Sequence, residues 1–433
     1  MNSLFLLKFF NKLNYAIFLL FLIAISSSLG SIIEQDENVH FYKEIYPKTN
    51  WIFNYEILFF FKFNEIYTSW WFLVLLFLLG ISLMSCTITT QFSIVYSSKF
   101  FLFKEKKKQF KKLPFFVKLK NFYYLKEKII VKIQKKNYLL YQNQKSFYAY
   151  KGLIGRISPI LVHISLLIIL ASSFSGAFLI SKAEQILPKG EISHIQNYRK
   201  IGQLTKSSPI LLRCNDFWIQ YNKKKIFQFY SNLSLLNNYG NELLTKTVSV
   251  NKPLKLHFLD IYQSDWNLPG IILSSEKDKN YQYPLFFTNT EPKIWITWIH
   301  FQKKNYTLLL NRSFSSFFLY DNYGNFLKKI TINKKIFNNL SLIEFIFSTG
   351  LLIKYNPTIP IIYLGFLILL VTTTLSYFPY NQIWITTKIK NIWIGGMSNR
   401  GKIGFEIELE NLLRKFFIDK KEYELFSKKK EKL

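Results

Sequence analysis

Long uncharged stretches alternate with charged segments along the chain. Residues 13–33, 66–98, 157–181 and 355–387 contain no Asp, Glu, Lys or Arg. Each stretch meets or exceeds the roughly 20 residues that a helix needs to cross about 30 Å of hydrocarbon. The pattern therefore predicts four transmembrane helices, near residues 13–33, 70–90, 158–180 and 359–378.

The first stretch has a second interpretation, a cleaved signal peptide, because Ser26, Ser27, Ser28 and Gly30 place small residues near its end. Its apolar run is longer than the usual h-region of about 7–15 residues, and no A-x-A-like pattern stands out. We therefore expect a retained helix.

The charge of the connecting segments predicts an orientation. Residues 99–151 carry the run KEKKKQFKK, and their acidic side chains are Glu105 and Glu127. Between the first two stretches, six acidic residues outnumber three lysines. By the positive-inside rule, the lysine-rich segment lies on the cytoplasmic or stromal side and the acidic loop on the opposite, trans side. Both termini then return to the lysine-rich side.

This topology predicts a polytopic α-helical membrane protein with four transmembrane helices and a large β-rich soluble domain. The β-rich expectation comes from runs such as KIFQFYSNLSLL, which mix aromatic and β-branched residues, break at Asn, Gly and Pro, and lack a 3.6-residue period. The predicted parts are helices one and two with the acidic loop (1–98), a lysine-rich loop (99–156), helix three (157–181), the β-rich trans domain (182–354), helix four (355–387) and a C-terminal tail (388–433).

The formal net charge of +31 would normally suggest a nucleic-acid partner. Phe, Tyr, Ile, Leu, Asn and Lys are abundant throughout, whereas Ala, Gly, Arg and Met are scarce, which is typical of an AT-rich gene such as those of many plastid genomes. We therefore interpret the lysines as solvated surface and expect no nucleic acid as partner.

Several classes of chemistry lack their motifs. The sequence contains no phosphate-binding glycine loop, no H-E-x-x-H and no nucleophile elbow. Its two cysteines, Cys86 and Cys214, fall on opposite sides of the predicted membrane, and there is neither C-x-x-C nor C-x-x-C-H. A thioredoxin-like redox arm and a c-type haem attachment site are therefore not expected, and Cys86 is interpreted as a packing residue.

His163, within GRISPILVHISLLIIL, is the sharpest candidate site residue. Ser158 and Pro159 predict a helix that begins there, with His163 on its second turn. An ionisable side chain within a membrane needs a hydrogen-bond partner, a water-filled cavity or a metal. If the helix starts early enough to include Arg156, that residue lies on the same face about 10 Å away. The pair could then hold an anionic metal cofactor, although Arg156 could equally anchor to lipid phosphates.

The remaining histidines give weaker signals. His40 and His194 lie close to the trans ends of helices one and three and could face one vestibule, or could be solvated loop residues. His257 is in a strand-like run and His300 follows WITW, so both are expected to be structural or exposed.

Seven blocks in order resemble the ResB-like family of cytochrome c biogenesis proteins, which belong to system II. The blocks are LNYAIFLLFLIAISSSLGSIIEQ, IYTSWWFLVLLFLLGISLMSCT, GRISPILVHISLLIIL, PKGEISHIQN, VNKPLKLHFLDIYQSDW, STGLLIKYNPTIPIIYLGFLILL and IGGMSNR. They span nearly the whole chain. With the AT-rich composition, the chain resembles the plastid-encoded algal form.

The resemblance implies a multi-pass protein of the plastid thylakoid membrane with its large domain in the lumen. It implies a non-enzymatic subunit that carries haem across the membrane and supports its attachment to apocytochromes c, namely cytochrome f and soluble c-type cytochromes. It also implies a polytopic partner with a Trp-rich haem-handling motif, which KIWITWIH resembles only superficially. His163 matches the family's proposed haem ligand or relay, whereas His257 falls where the family has no characteristic histidine.

Two other interpretations remain open. The chain could be a scaffold that stabilises the partner, with His163 buried in helix packing. It could also be a transporter unrelated to haem, but inverted repeats and paired broken helices are not evident in the sequence.

Overall fold

The structure is a computed structural model that describes residues 9–48, 54–92, 103–120, 125–205, 210–222, 225–275, 279–287, 294–301, 304–310, 316–331, 335–337, 340–389 and 391–414. The helices within these ranges are α1 (Leu13–Ile32), α2 (Val39–Ile45), α3 (Tyr55–Phe60), α4 (Trp70–Cys86), α5 (Lys107–Lys111), α6 (Leu125–Gln134), α7 (Leu153–Leu179), α8 (Ile359–Ser376) and α9 (Lys402–Leu413). A 3-10 helix (Phe63–Thr68) precedes α4, and a π-helical turn (Thr87–Gln91) follows it.

The strands within these ranges all pair antiparallel. They are β1 (Phe115–Lys120), β2 (Leu139–Asn143), β3 (Ser146–Lys151), β4 (Ser181–Pro188), β5 (Ile192–His194), β6 (Tyr198–Ile201), β7 (Leu211–Asn222), β8 (Lys225–Leu236), β9 (Glu242–Ser249), β10 (Leu254–Leu256), β11 (Leu259–Ser275), β12 (Lys279–Pro284), β13 (Phe286–Phe287), β14 (Trp295–Phe301), β15 (Lys304–Leu310), β16 (Ser316–Tyr320), β17 (Phe326–Thr331), β18 (Leu340–Tyr355), β19 (Asn381–Thr387) and β20 (Asn391–Ser398).

Four helices, α1, α4 with its π-helical turn, α7 and α8, are long and apolar enough to cross a membrane. At most 28% of the most apolar window of any of these helices is fully buried within the protein. Four apolar helices combined with a large β-rich domain confirm the predicted combination of elements.

The third long helix begins earlier than predicted. Helix α7 starts at Leu153, so Pro159 lies inside it and the Ser158 hydroxyl donates to the Ile154 carbonyl oxygen at 2.7 Å. Gly152, at φ +80°, turns the chain directly from β3 into the helix. A Cβ on Gly155 would stand 1.8 Å from the Phe378 carbonyl oxygen, so this first turn packs against distant backbone. The Ser-Pro start signal was wrong because it is local and does not register that packing.

The lysine-rich segment and the C-terminal segment form one folded domain. Their strands build a five-stranded sheet in the order β1-β20-β19-β3-β2, whose two central neighbours β20 and β19 come from the end of the chain. One face packs on α6 and α9 through a core that includes Val117, Ile129, Ile394 and Leu409. The predicted loop (99–156) and tail (388–433) are thus corrected, although residues 415–433 lie outside the described part of the chain.

The prediction of helix four near residues 359–378 is confirmed by α8, but the segment assigned to it (355–387) was too long because β19 carries no charge. Helix α8 ends at Ser376, and residues Asn381–Thr387 form a strand that is buried almost throughout. A strand covered on both faces has few solvated positions to mark it, so its sequence merges with the preceding apolar helix.

The described residues of the second compact unit, 34–64 and 175–359, form three further sheets. The six-stranded sheet has the order β10-β11-β18-β4-β6, with β12 also paired to β11. The four-stranded sheet β5-β7-β8-β9 and the six-stranded sheet share a core that includes Leu212, Leu233 and Ile261. The five-stranded sheet β13-β14-β15-β16-β17 shares a separate core with the C-terminal part of β11. This core includes Ile271 and Leu308. This domain is the predicted β-rich one.

The acidic loop is part of this second unit. The Lys200 ammonium lies 2.5 Å from the Asp36 carboxylate, with both side chains about four-fifths buried. Arg199, also on β6, pairs with Glu37 and with Glu184 of β4. These ion pairs join residues 34–64 to the six-stranded sheet. The sequence pattern instead predicts that this loop forms one part with the first two helices (1–98).

Candidate functional site around His163

His163 lies well inside the third long helix. It is ten residues from the start of α7, or about 15 Å along the axis, which places it deeper than the predicted second turn. Its side chain is half-buried, and neighbouring residues are Ile, Leu and Val. An imidazole in such surroundings needs a hydrogen-bond partner.

That partner is Thr87, on the π-helical turn after α4. The Thr87 hydroxyl oxygen stands 3.2 Å from Nδ1 of His163, and the hydroxyl donates its own proton to the Leu83 carbonyl oxygen at 2.7 Å. A hydroxyl has one proton, so a Thr87 proton directed to Leu83 makes Nδ1 the donor in the contact with Thr87. The Leu83 carbonyl is also an acceptor for the His163 imidazole. The proton of a neutral imidazole is then fixed on Nδ1, which leaves the lone pair of Nε2 to coordinate a metal.

The end of α4 and the π-helical turn that follows it, which holds Thr87, carry several polar side chains. After Cys86 the backbone takes a π-helical turn in which the Phe92 amide bonds to the Thr87 carbonyl, a geometry frequent at functional sites. The Ser82 hydroxyl donates to the Phe10 carbonyl at 2.8 Å, and the Asn11 amide donates to the Thr90 hydroxyl at 3.2 Å. The Thr87–His163 contact therefore adjoins a polar region shared by α4 and the residues before α1.

Arg156 is directed to the five-stranded sheet. Its guanidinium lies over the Tyr380 ring at 4.9 Å from the centroid. The Tyr380 hydroxyl is 3.0 Å from that of Tyr148, and Gln382 donates to Tyr380 at 3.2 Å. Burial raises the pKa of Tyr148 well above its usual range, so the Tyr148 phenol is neutral near pH 7. A joint role of Arg156 and His163 stays a prediction.

The other four histidines are exposed. His40, on α2, pairs with Glu44 one turn away at 3.4 Å and is 82% exposed, while His194 ends the edge strand β5. His257 occupies the β10–β11 turn at φ +52°, not a strand, and Nδ1 of His300 is 2.6 Å from the Asn305 carboxamide oxygen. No contact between His40 and His194 is described.

A haem-type cofactor is compatible with this donor set. Among the described residues, no group of three His, Cys, Asp or Glu side chains could hold a bare metal ion. Haem needs no such group, because its porphyrin supplies four nitrogens and the protein adds only axial ligands such as a histidine. One neutral imidazole with a free Nε2 lone pair meets that requirement.

Thr87 is the residue that the sequence interpretation missed. It occurs in a run of threonines, CTITTQ, near the end of the second predicted helix (70–90), where hydroxyls commonly bond to their own helix. One signal in the sequence could have indicated Thr87. Polar residues lie toward the lysine-rich side of the second stretch, and the histidine of the third stretch lies toward the same side.

Comparisons with known proteins identify the family. The ResB-like family profile matches residues 13–311 and 312–410. The cytochrome c biogenesis protein Ccs1 of Thalassiosira pseudonana is 40% identical over 412 residues, which cover 93% of this chain and 97% of that protein. Ccs1 of Pyropia yezoensis is 38% identical (94% and 94% covered), and CcsB of Crocosphaera subtropica is 35% identical (94% and 94% covered). The chain therefore belongs to the ResB-like family.

Proposed function

We propose that this chain is a membrane subunit for cytochrome c biogenesis that holds haem at His163 during its transfer to apocytochromes c. The general role is supported by family membership and by the names of the algal and cyanobacterial relatives. The haem role is supported by one observation, an imidazole in an apolar helix whose Nδ1–H is bonded to Thr87 and whose Nε2 lone pair is left to bind iron.

The proposed location is the plastid thylakoid membrane. The four apolar helices support membrane insertion, and the net positive charge of residues 99–151 supports a stromal position for that segment. The β-rich domain, which follows an odd number of crossings from that side, would then lie in the lumen beside the apocytochromes. Lipid is accordingly a partner of the helices.

The proposed role is non-catalytic and requires a partner. Attachment of haem forms thioether bonds with reduced apocytochrome thiols, and this sequence has no C-x-x-C to reduce them. We propose a separate polytopic subunit with a Trp-rich haem-handling motif, and His163 would be one of the residues that hold haem in the resulting complex.

A second candidate is a pure scaffold. The Thr87 bond that prepares Nε2 for iron also satisfies the imidazole as a packing residue, so the same contact is compatible with a chain that never touches haem.

The experiment co-expresses the full chain with its polytopic partner, purifies the complex and measures haem content and absorption spectrum for wild type and His163→Ala. The matched control is His300→Ala, which removes an exposed imidazole of the β-rich domain. Haem lost in His163→Ala, regained with added imidazole and unchanged in the control, supports the haem role. Unchanged haem in His163→Ala, with normal maturation of c-type cytochromes, favours the scaffold.

A further inference from the structure

We propose that Thr87 is the positioning residue for His163, a role that rests on the proposed haem function and extends it to the second long helix. The hydroxyl of Thr87 would fix which imidazole nitrogen faces iron and the orientation of the ring about its Cβ–Cγ bond. Thr87 itself touches no cofactor in this proposal.

The hydrogen-bond directions carry the argument. Thr87 is 4% exposed, so its hydroxyl must find partners within the protein. It donates to the Leu83 carbonyl at 2.7 Å and accepts from Nδ1 of His163 at 3.2 Å. The Leu83 carbonyl directs the Thr87 proton and also accepts from the His163 imidazole, so Leu83 and Thr87 together favour the tautomer with the proton on Nδ1.

Such a bond is what a metal-binding histidine requires. Histidine ligands commonly donate their second ring N–H to a neighbouring acceptor, which orients the ring and raises the basicity of the ligating nitrogen, and loss of that acceptor weakens metal binding about 10–100-fold. In an apolar segment no water replaces a missing acceptor. A tautomer with the proton on Nε2 would have no lone pair on Nε2, the nitrogen proposed to bind iron.

The first test compares three variants in the complex with the partner. Thr87→Val has nearly the same shape without the hydroxyl, Thr87→Ser keeps the hydroxyl, and Thr89→Val is the matched control. Thr89 makes the same bond to its own helix, to the Ser85 carbonyl at 2.7 Å, without the described contact to His163. We expect Thr87→Val to weaken haem retention about 10–100-fold and to lower the iron–imidazole stretching frequency in resonance Raman spectra, because a less basic imidazole binds more weakly. Thr87→Ser and Thr89→Val should resemble wild type.

A second test does not depend on how Thr87→Val folds. His163→Gly opens a cavity that two isomers of the same size can enter, 4-methylimidazole, which has a ring N–H, and 1-methylimidazole, which has none. Because only the first can donate to Thr87, we expect it to restore haem at a concentration at least tenfold lower than the second. In the double variant with Thr87→Val, the difference should disappear.

The outcomes separate this inference from the proposed function. Equal rescue of His163→Gly by the two isomers, or Thr87→Val with wild-type haem retention and an unchanged iron–imidazole frequency, overturns the role of Thr87 while His163 remains a ligand. Full haem content in His163→Ala overturns both proposals.

Discussion

Replacement of Ile394 tests whether the lysine-rich segment and the C-terminal segment, which lie far apart in the sequence, form one sheet. Ile394 is fully buried in β20, opposite Val117 of β1 on one side and Ile385 of β19 on the other. It therefore joins the lysine-rich segment to the C-terminal segment across more than 270 residues of sequence. Ile394→Ala would open a cavity at this junction.

The expected cost follows from the packing. Truncation of a buried isoleucine to alanine costs about 2–5 kcal/mol, with higher values where the surroundings cannot collapse. Ile394 sits between two paired strands beneath α6 and α9, so we expect the upper part, about 3–5 kcal/mol. At about 1.4 kcal/mol per factor of ten, the open form of the domain should become roughly a hundredfold to a few thousandfold more populated.

The assay is limited trypsin digestion of the purified chain in detergent, with mass spectrometry of the fragments. It measures the population of the open form because the cleavage rate follows transient opening of the domain. Faster cleavage is expected in both segments, after Lys118 and Lys128 as well as after Lys402. Ile403→Ala, at a position that is 75% exposed on α9, is the matched control and should change stability by less than about 0.5 kcal/mol. Cleavage accelerated after Lys402 alone, with residues 115–151 as protected as in wild type, would refute the shared sheet.

Two further predictions concern buried groups of the second compact unit. Burial raises the pKa of Tyr42 to about 12, so the neutral phenol is favoured in the folded state. The stability that this phenol contributes should be complete below pH 10 and disappear as the pH rises to 12. In alkaline unfolding followed by tryptophan fluorescence, Tyr42→Phe should remove about 2 kcal/mol of the pH dependence of the unfolding free energy. An identical pH slope in the two proteins would contradict that reasoning. Burial likewise raises the pKa of the Cys214 thiol to about 12. Iodoacetamide at pH 8 should therefore modify Cys214 only after the protein unfolds, which peptide mass spectrometry can follow. Rapid modification of the native protein would show that the thiol is accessible.

The sequence was sufficient for features with strong local signals. Four uncharged stretches predicted four long helices because the length of an apolar run is visible without knowing its neighbours. Short aromatic and β-branched runs predicted the β-rich domain for the same reason. In each case the information lies within some 20 residues.

Features that depend on distant pairing were not predictable in this way. Strand β20 is flanked by β1 and β19, and β19 pairs with β3, so β1 joins the β2–β3 pair of the lysine-rich segment through strands from near the end of the chain. The dense lysines suggested a solvated loop because β1 and α6 alternate lysines with the apolar side chains that enter the core, as in FFVKLK and LKEKIIVKIQ. Periodicity of this kind is weak evidence in six to ten residues, and the core becomes evident only when the second segment is placed against it.

The two residues of the candidate site also differ in how well the sequence alone predicts them. His163 was identifiable because an imidazole in an apolar run is rare, whereas Thr87 resembles other threonines of the long helices. The hydroxyls of Thr87, Thr89, Thr372 and Thr373 all donate to the carbonyl four residues earlier, at 2.7–2.8 Å. In the described part of the chain, Thr87 differs from the other three because its oxygen also accepts from His163. That difference arises from the packing of α4 and its π-helical turn against α7, which brings together residues 76 positions apart. A contact of this kind can be recognised only in three dimensions.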